Sequence, residues 1–106
     1  MPKILWKVNY TADGAKGVLK DGGSKRRAVV EELLRANGGR LECFYFAFGD
    51  ADAYLIADVP SNTDAAATAI AVGASGAAVL STTILLTPEE VDEATKASID
   101  YQPPGT

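Results

Sequence analysis

Three groups of residues in this chain have the types and spacing to do chemistry. The first is Gly22-Gly23-Ser24-Lys25-Arg26-Arg27, a glycine pair followed by three cations at the start of a helical stretch. Exposed amides at a helix N-terminus attract an anion, and cations there oppose the helix dipole. Arg26 and Arg27 are therefore candidate ligand-binding residues for a phosphate or carboxylate, or else meet the acidic segment 89–93 of this or a second chain. The stretch is no P-loop, because Lys-Ser/Thr does not follow the glycines, and a solvated basic turn is the alternative reading. The second group is Lys7, Asn9, Tyr45, Tyr54 and Asp58, all in strand-like segments. Inside a small barrel they could bind a ligand, and a buried lysine or carboxylate there would have a displaced pKa and could move a proton. Otherwise Lys7 lays its stem over apolar surface with its charge in water, and Tyr54 fills core or interface volume. The third group, Asp50 and Asp52, could offer oxygen atoms to a hard cation, but aspartates are ordinary turn residues and no complete metal loop is present. Neither a metal nor a cofactor is expected.

Composition narrows the chemistry further. The chain has no histidine and one cysteine, Cys43. That removes the usual general base and zinc nitrogen donor and excludes an internal disulfide. Cys43 lies in an apolar strand, where a thiol behaves as a small hydrophobe rather than a nucleophile. The net charge of −4 opposes nucleic-acid binding. Charge is divided unevenly: residues 1–40 hold nine Lys or Arg against four acids, and residues 41–106 hold Lys96 alone against ten. The two halves could attract each other within a fold or across an interface. No apolar run is long enough to span a membrane, and Pro2-Lys3 leads into a strand rather than a signal sequence, so a cytoplasmic protein with no membrane partner is expected.

The elements that must position these groups follow from periodicity. Lys3 to Tyr10 alternates Ile4, Trp6, Val8 and Tyr10 against a mixed face, the period of a strand. Thr11 offers an N-cap to a short helix through Leu19, interrupted at Gly22-Gly23. A second helix begins at Ser24 with an apolar stripe through Leu34 and stops at Gly38-Gly39. Arg40–Phe48 and Asp52–Val59 read as a hairpin, and both faces of these strands are largely apolar. An Ala-rich helix over Ser61–Gly76, a strand over Ala77–Leu86 and a capping box at Thr87-Pro88-Glu89-Glu90 complete the chain. The order βαββαβ plus a C-terminal helix predicts an α+β, ferredoxin-like fold with a four-stranded antiparallel sheet. One domain is expected over residues 1–98, with an extended tail over 99–106. Right-handed crossovers put both main helices on one sheet face, and the bare face predicts packing against a second copy.

Four segments carry a resemblance to a known family: residues 10–16, the Gly-Gly-x-x-x-Arg stretch of residues 22–27, residues 41–49, and residues 82–90. Together they resemble the GYD domain family of small bacterial proteins. The resemblance implies a ferredoxin-like unit of the dimeric α+β barrel class, and it brings no established activity. The family's Gly-x-Tyr-Asp segment falls on Gly49, Ala51 and Asp52, so Gly49 and Asp52 are kept and Ala51 replaces the tyrosine, whose role is absent or falls to a neighbour such as Tyr54.

Three functional readings are open. The first is a homodimeric or larger binding or sensing module for a small organic or anionic ligand. The second, by analogy with related barrels, is a cofactor-independent oxygenase or isomerase whose proton chemistry would fall to Lys7, Tyr45, Tyr54 or Asp58. The third is a purely structural assembly.

Overall fold

The computed structural model describes residues 1–106. Strand β1 (Lys3–Tyr10) buries Ile4, Trp6 and Val8 on one face, as its alternation requires. Two helices follow, α1 (Ala12–Asp21) and α2 (Gly23–Ala36). The break between them is Gly22, whose φ of 82° is accessible to glycine at little cost. The hairpin of β2 (Arg40–Phe46) and β3 (Ala53–Asp58), helix α3 (Asn62–Ala74), strand β4 (Ala78–Leu85) and helix α4 (Pro88–Thr95) complete the chain. The sheet is antiparallel throughout in the order β2-β3-β1-β4, so the fold is ferredoxin-like. Helix α2 packs on β2 and α3 packs on β4.

A bulge in β2 decides which rings are covered. Leu41 pairs with Ala57 and Cys43 with Ile56, so Glu42 is extra and the alternation changes phase. Leu41, Phe44 and Phe46 therefore share the helix-covered side with Ile4, Trp6, Val8 and Leu55. Phe44 and Phe46 meet edge-to-face with centroids 5.1 Å apart. β2 ends at Phe46 rather than Phe48: Ala47 N–H still bonds the Asp52 carbonyl across the hairpin (2.9 Å), and the chain then bends away through residues 48–50. Phe48 lies beyond the strand, fully exposed.

The other face, with Leu5, Lys7, Cys43, Tyr45, Tyr54, Ile56 and Val79, has no helix over it. Tyr45 is 70% exposed and Val79 64%. The total accessible surface is 7243 Å², against roughly 5,600 Å² expected of a compact monomer of 11.0 kDa. The radius of gyration of 16.8 Å likewise exceeds the roughly 13 Å expected at this length. No helix is long and apolar enough to cross a membrane.

One junction locks α1 to the α3–β4 turn. Thr11 donates its N–H to the Ala77 carbonyl (3.0 Å) and its hydroxyl to the Gly76 carbonyl (2.6 Å), while its Oγ1 accepts from Gly14 N–H to cap α1. Gly14 is the close-approach point, since a Cβ there would fall 1.8 Å from the Ala77 carbonyl oxygen. Gly14→Ala should therefore cost about 1–3 kcal/mol by overpacking. Gly17→Ala, where a Cβ meets nothing within 4 Å, should stabilise by about 0.5–1 kcal/mol. Urea unfolding of the two variants checks the contrast, and equal effects would show that α1 does not depend on this contact.

Candidate functional site

The structure scatters the residues of the sequence-based groups. Lys7, Tyr54 and Tyr45 form one cross-strand row on the uncovered face, where Lys7 pairs with Tyr54 and Tyr54 with Tyr45. Asn9 lies on the same face, opposite Val79. Asp58 is at the far end of that face in an ion cluster, with Arg40 Nη2 at 3.0 Å and Lys3 Nζ at 3.2 Å, and Lys3 also reaches Glu42 at 2.9 Å. Its oxygens are thus already occupied. Burial pushes the Asp58 carboxyl up, but hydrogen bonds and charge from Arg40 and Lys3 outweigh it and hold the group below the ordinary carboxylate value.

Arg27 is outside the sheet, paired with Glu31 at 3.7 Å, and Lys25 pairs with Asp21 at 3.5 Å. These intrahelical partners answer the charge at the start of α2. Arg26 differs from both in having no ion pair. It turns inward instead, to the mouth of a cavity between the sheet and helices α2 and α3.

This cavity, of about 140 Å³, is lined mainly by apolar side chains, among them Trp6, Phe44, Leu55, Val30 and Val72. From α3 only Thr68 and Val72 reach it, and these short side chains do not fill the space toward Val29, Val30 and Leu33 of α2. Its polar residues are few: Arg26, Tyr10, Thr68 and Ser75. Burial raises the Tyr10 pKa, Arg26 beside it pulls the value down, and Asp52 pushes it up again, for a net rise. The guanidinium stands near the phenol without a well-formed hydrogen bond, and the phenol keeps its proton at neutral pH. A cation and a phenolic donor thus converge on one apolar hollow, an arrangement suited to a small organic anion.

Asp52 holds this end of the molecule together. Its carboxylate accepts from Tyr10 N–H (2.8 Å), its own N–H donates to the Val8 carbonyl (2.9 Å), and its carbonyl accepts from Ala47 N–H (2.9 Å). Three stretches of chain meet on one residue. Gly49 is an open turn position where a Cβ would meet nothing within 4 Å. Ala51 is wholly buried, whereas Tyr54 faces the uncovered side. No third acidic or thiol side chain joins Asp50 and Asp52. Tyr10 was readable from sequence only as a strand residue. Its place beside Arg26 and Asp52 depends on the hairpin folding back onto β1, which spacing does not reveal.

The fold and this site define a small α+β domain with one sheet face bare and a polar-mouthed cavity under the other. The chain belongs to the GYD domain family, whose model matches residues 5–95. No curated protein and no solved structure matches it significantly.

The ion cluster makes stability depend on acidity in a defined direction. The folded pKa of Asp58 lies below its value of 3.8 in the unfolded chain, so the stabilisation is complete above about pH 4–5 and is lost as the pH falls through the folded value. Asp58→Asn should lower the urea midpoint at pH 7 and flatten its decline between pH 5 and 3. A variant with the wild-type acid limb would show that the cluster contributes nothing.

Proposed function

We propose that this protein is a small-ligand binding module that works as a paired molecule, holding a compact organic acid in the cavity beneath α2 and α3. The observation that carries the reading is the convergence of Arg26 and Tyr10 on an apolar cavity of about 140 Å³. An apolar protein cavity of about 150 Å³ is large enough for benzene, so the ligand class is a single-ring or short-chain acid. Arg26 anchors the acid group by a charge-assisted bond, and Tyr10 donates a second one. The apolar lining takes the remainder of the ligand.

Pairing is supported by the bare sheet face, on which Tyr45 is 70% and Val79 64% exposed. A standard interface removes about 800 Å² from each partner. Face-to-face packing would place Lys7, Asn9, Tyr45 and Tyr54 between the two copies, as interface residues first. Binding rather than catalysis is favoured because Asp58 is committed to its ion cluster, which leaves the sheet face without a free carboxylate base.

Two measurements test these parts separately. In thermal unfolding against a panel of benzoate-sized acids and their neutral amides, an acid at ten times its Kd should raise Tm by about 5–10 °C. Arg26→Leu should weaken binding by at least about tenfold, and Val72→Phe should fill the cavity and abolish it. Equal shifts with acids and amides, or none with any compound, would remove the ligand reading. For pairing, wild type should sediment as a dimer at micromolar concentration and Ile56→Asp, at the centre of the bare face, as a monomer. A monomeric wild type would end the paired reading.

A further inference from the structure

We infer that the C-terminal arm, α4 with the segment after it, docks in trans: the arm of one copy lies along α1 of a second copy, Glu89 and Glu93 facing Lys16 and Lys20. The arm has no support within its own chain, since every residue from Pro88 to Thr106 is exposed. A helix of eight residues is marginal in water, and the Thr87–Glu90 capping box secures only its first turn. The arm also displays Ile99 and Tyr101, 79% and 63% exposed. These are the marks of a segment that folds against something.

Charge identifies what that is. Residues 88–100 carry Glu89, Glu90, Asp92, Glu93 and Asp100 against Lys96 alone, and the arm's one ion pair is the long Lys96–Glu93 contact at 3.8 Å. On α1, Lys16 and Lys20 make no ion pair, and Leu19 beside them is 88% exposed. Glu89 and Glu93 repeat at the same i,i+4 interval as Lys16 and Lys20, so two helices laid side by side can match both pairs at once. On the opposite flank of α1 lies a groove of about 460 Å³, bounded by Ala15, Val18, Phe46 and the exposed Phe48, which this contact does not use.

Position favours a second copy over the arm's own α1. Strand β4 ends at Leu85, opposite Lys3, whereas α1 starts beyond Tyr10, at the other end of β1. Those ends are about 25 Å apart along the strand. A twofold axis across the strands brings the Leu85 end of one sheet to the Tyr10 end of the other, and the contact then forms twice. This inference rests on the pairing proposed above, and on neither the cavity nor its ligand.

Sedimentation of two charge-reversal variants tests it, with circular dichroism confirming that each is folded. Glu89→Lys/Glu93→Lys alone and Lys16→Glu/Lys20→Glu alone should each dissociate at least tenfold more readily than wild type. An equimolar mixture should recover wild-type affinity, because the mixed dimer restores opposite charges at both contacts. If either variant self-associates as wild type does, or if the mixture stays as weak as its components, docking on α1 in trans is wrong. A dimeric wild type with that outcome overturns the arm alone; a monomeric wild type overturns the pairing as well.

Discussion

The structure is governed by a shortage of cover. A four-stranded sheet has two faces, and the hydrophobic effect acts on both, yet the helices of this chain cover only one of them. Ile4, Trp6, Val8, Leu55 and Ala57 are enclosed, while Leu5, Ile56, Tyr45 and Val79 on the reverse of the same strands are left half-buried or exposed. The core is small as a result: 12 of 106 residues are buried, and its one large polar-bearing ring, Trp6, is satisfied by donating Nε1–H to Thr82 Oγ1 at 2.9 Å. So thin a layer gains much of its possible stabilisation only when something apolar meets its second face.

Covering one face with two unlike helices also creates the cavity. Helix α2 brings Val30 and Leu34 down onto β2 and β3, whereas α3 presents Ala65, Thr68 and Val72 toward β4. The alanines let α3 approach the sheet closely, but Thr68 and Val72 do not fill the space toward α2. Tyr10, which lines the gap between the helices, lies between two tethered points of the chain. Thr11 ties α1 to the α3–β4 turn, and Asp52 ties the β2–β3 hairpin to β1, one on each side of Tyr10. Rigid bonds on both sides of a phenol, with an arginine free of ion pairs beside it, make a better-defined site than either residue could alone.

Much of this architecture is legible in the residues. The alternation from Ile4 to Tyr10, the glycine break at Gly22 and the capping box at Thr87 each specify their element locally, and the structure follows them. The division of the aromatic rings was not legible, because the bulge at Glu42 changes the phase of β2 without any glycine or proline to announce it. A strict period of two would have put Phe44 with Leu5 and Tyr45 with Trp6. The cavity was hidden for a related reason: it is a space between α2 and α3, and no run of residues encodes a space. Tyr10 and Arg26 are 16 positions apart and meet only because α1 turns back at Gly22 and lays the first turn of α2 over the end of β1.

The same view explains the uneven charge of the chain. Within one copy much of the basic N-terminal part has partners, as Lys25 does with Asp21 and Arg27 with Glu31, while Lys7, Lys16, Lys20 and Arg26 make no ion pair. The acidic C-terminal part has Lys96 as its one cation, and the acids of α4 make no ion pair with the N-terminal part. Exposed ion pairs add little stability individually, so excess charge of both signs is not explained by the fold of a single chain. It is explained if opposite surfaces meet between copies, where long-range attraction orients the encounter and like-charged arms repel a wrong register. The bare sheet face then supplies the apolar area, and the charged arms decide how the two sheets are turned against each other.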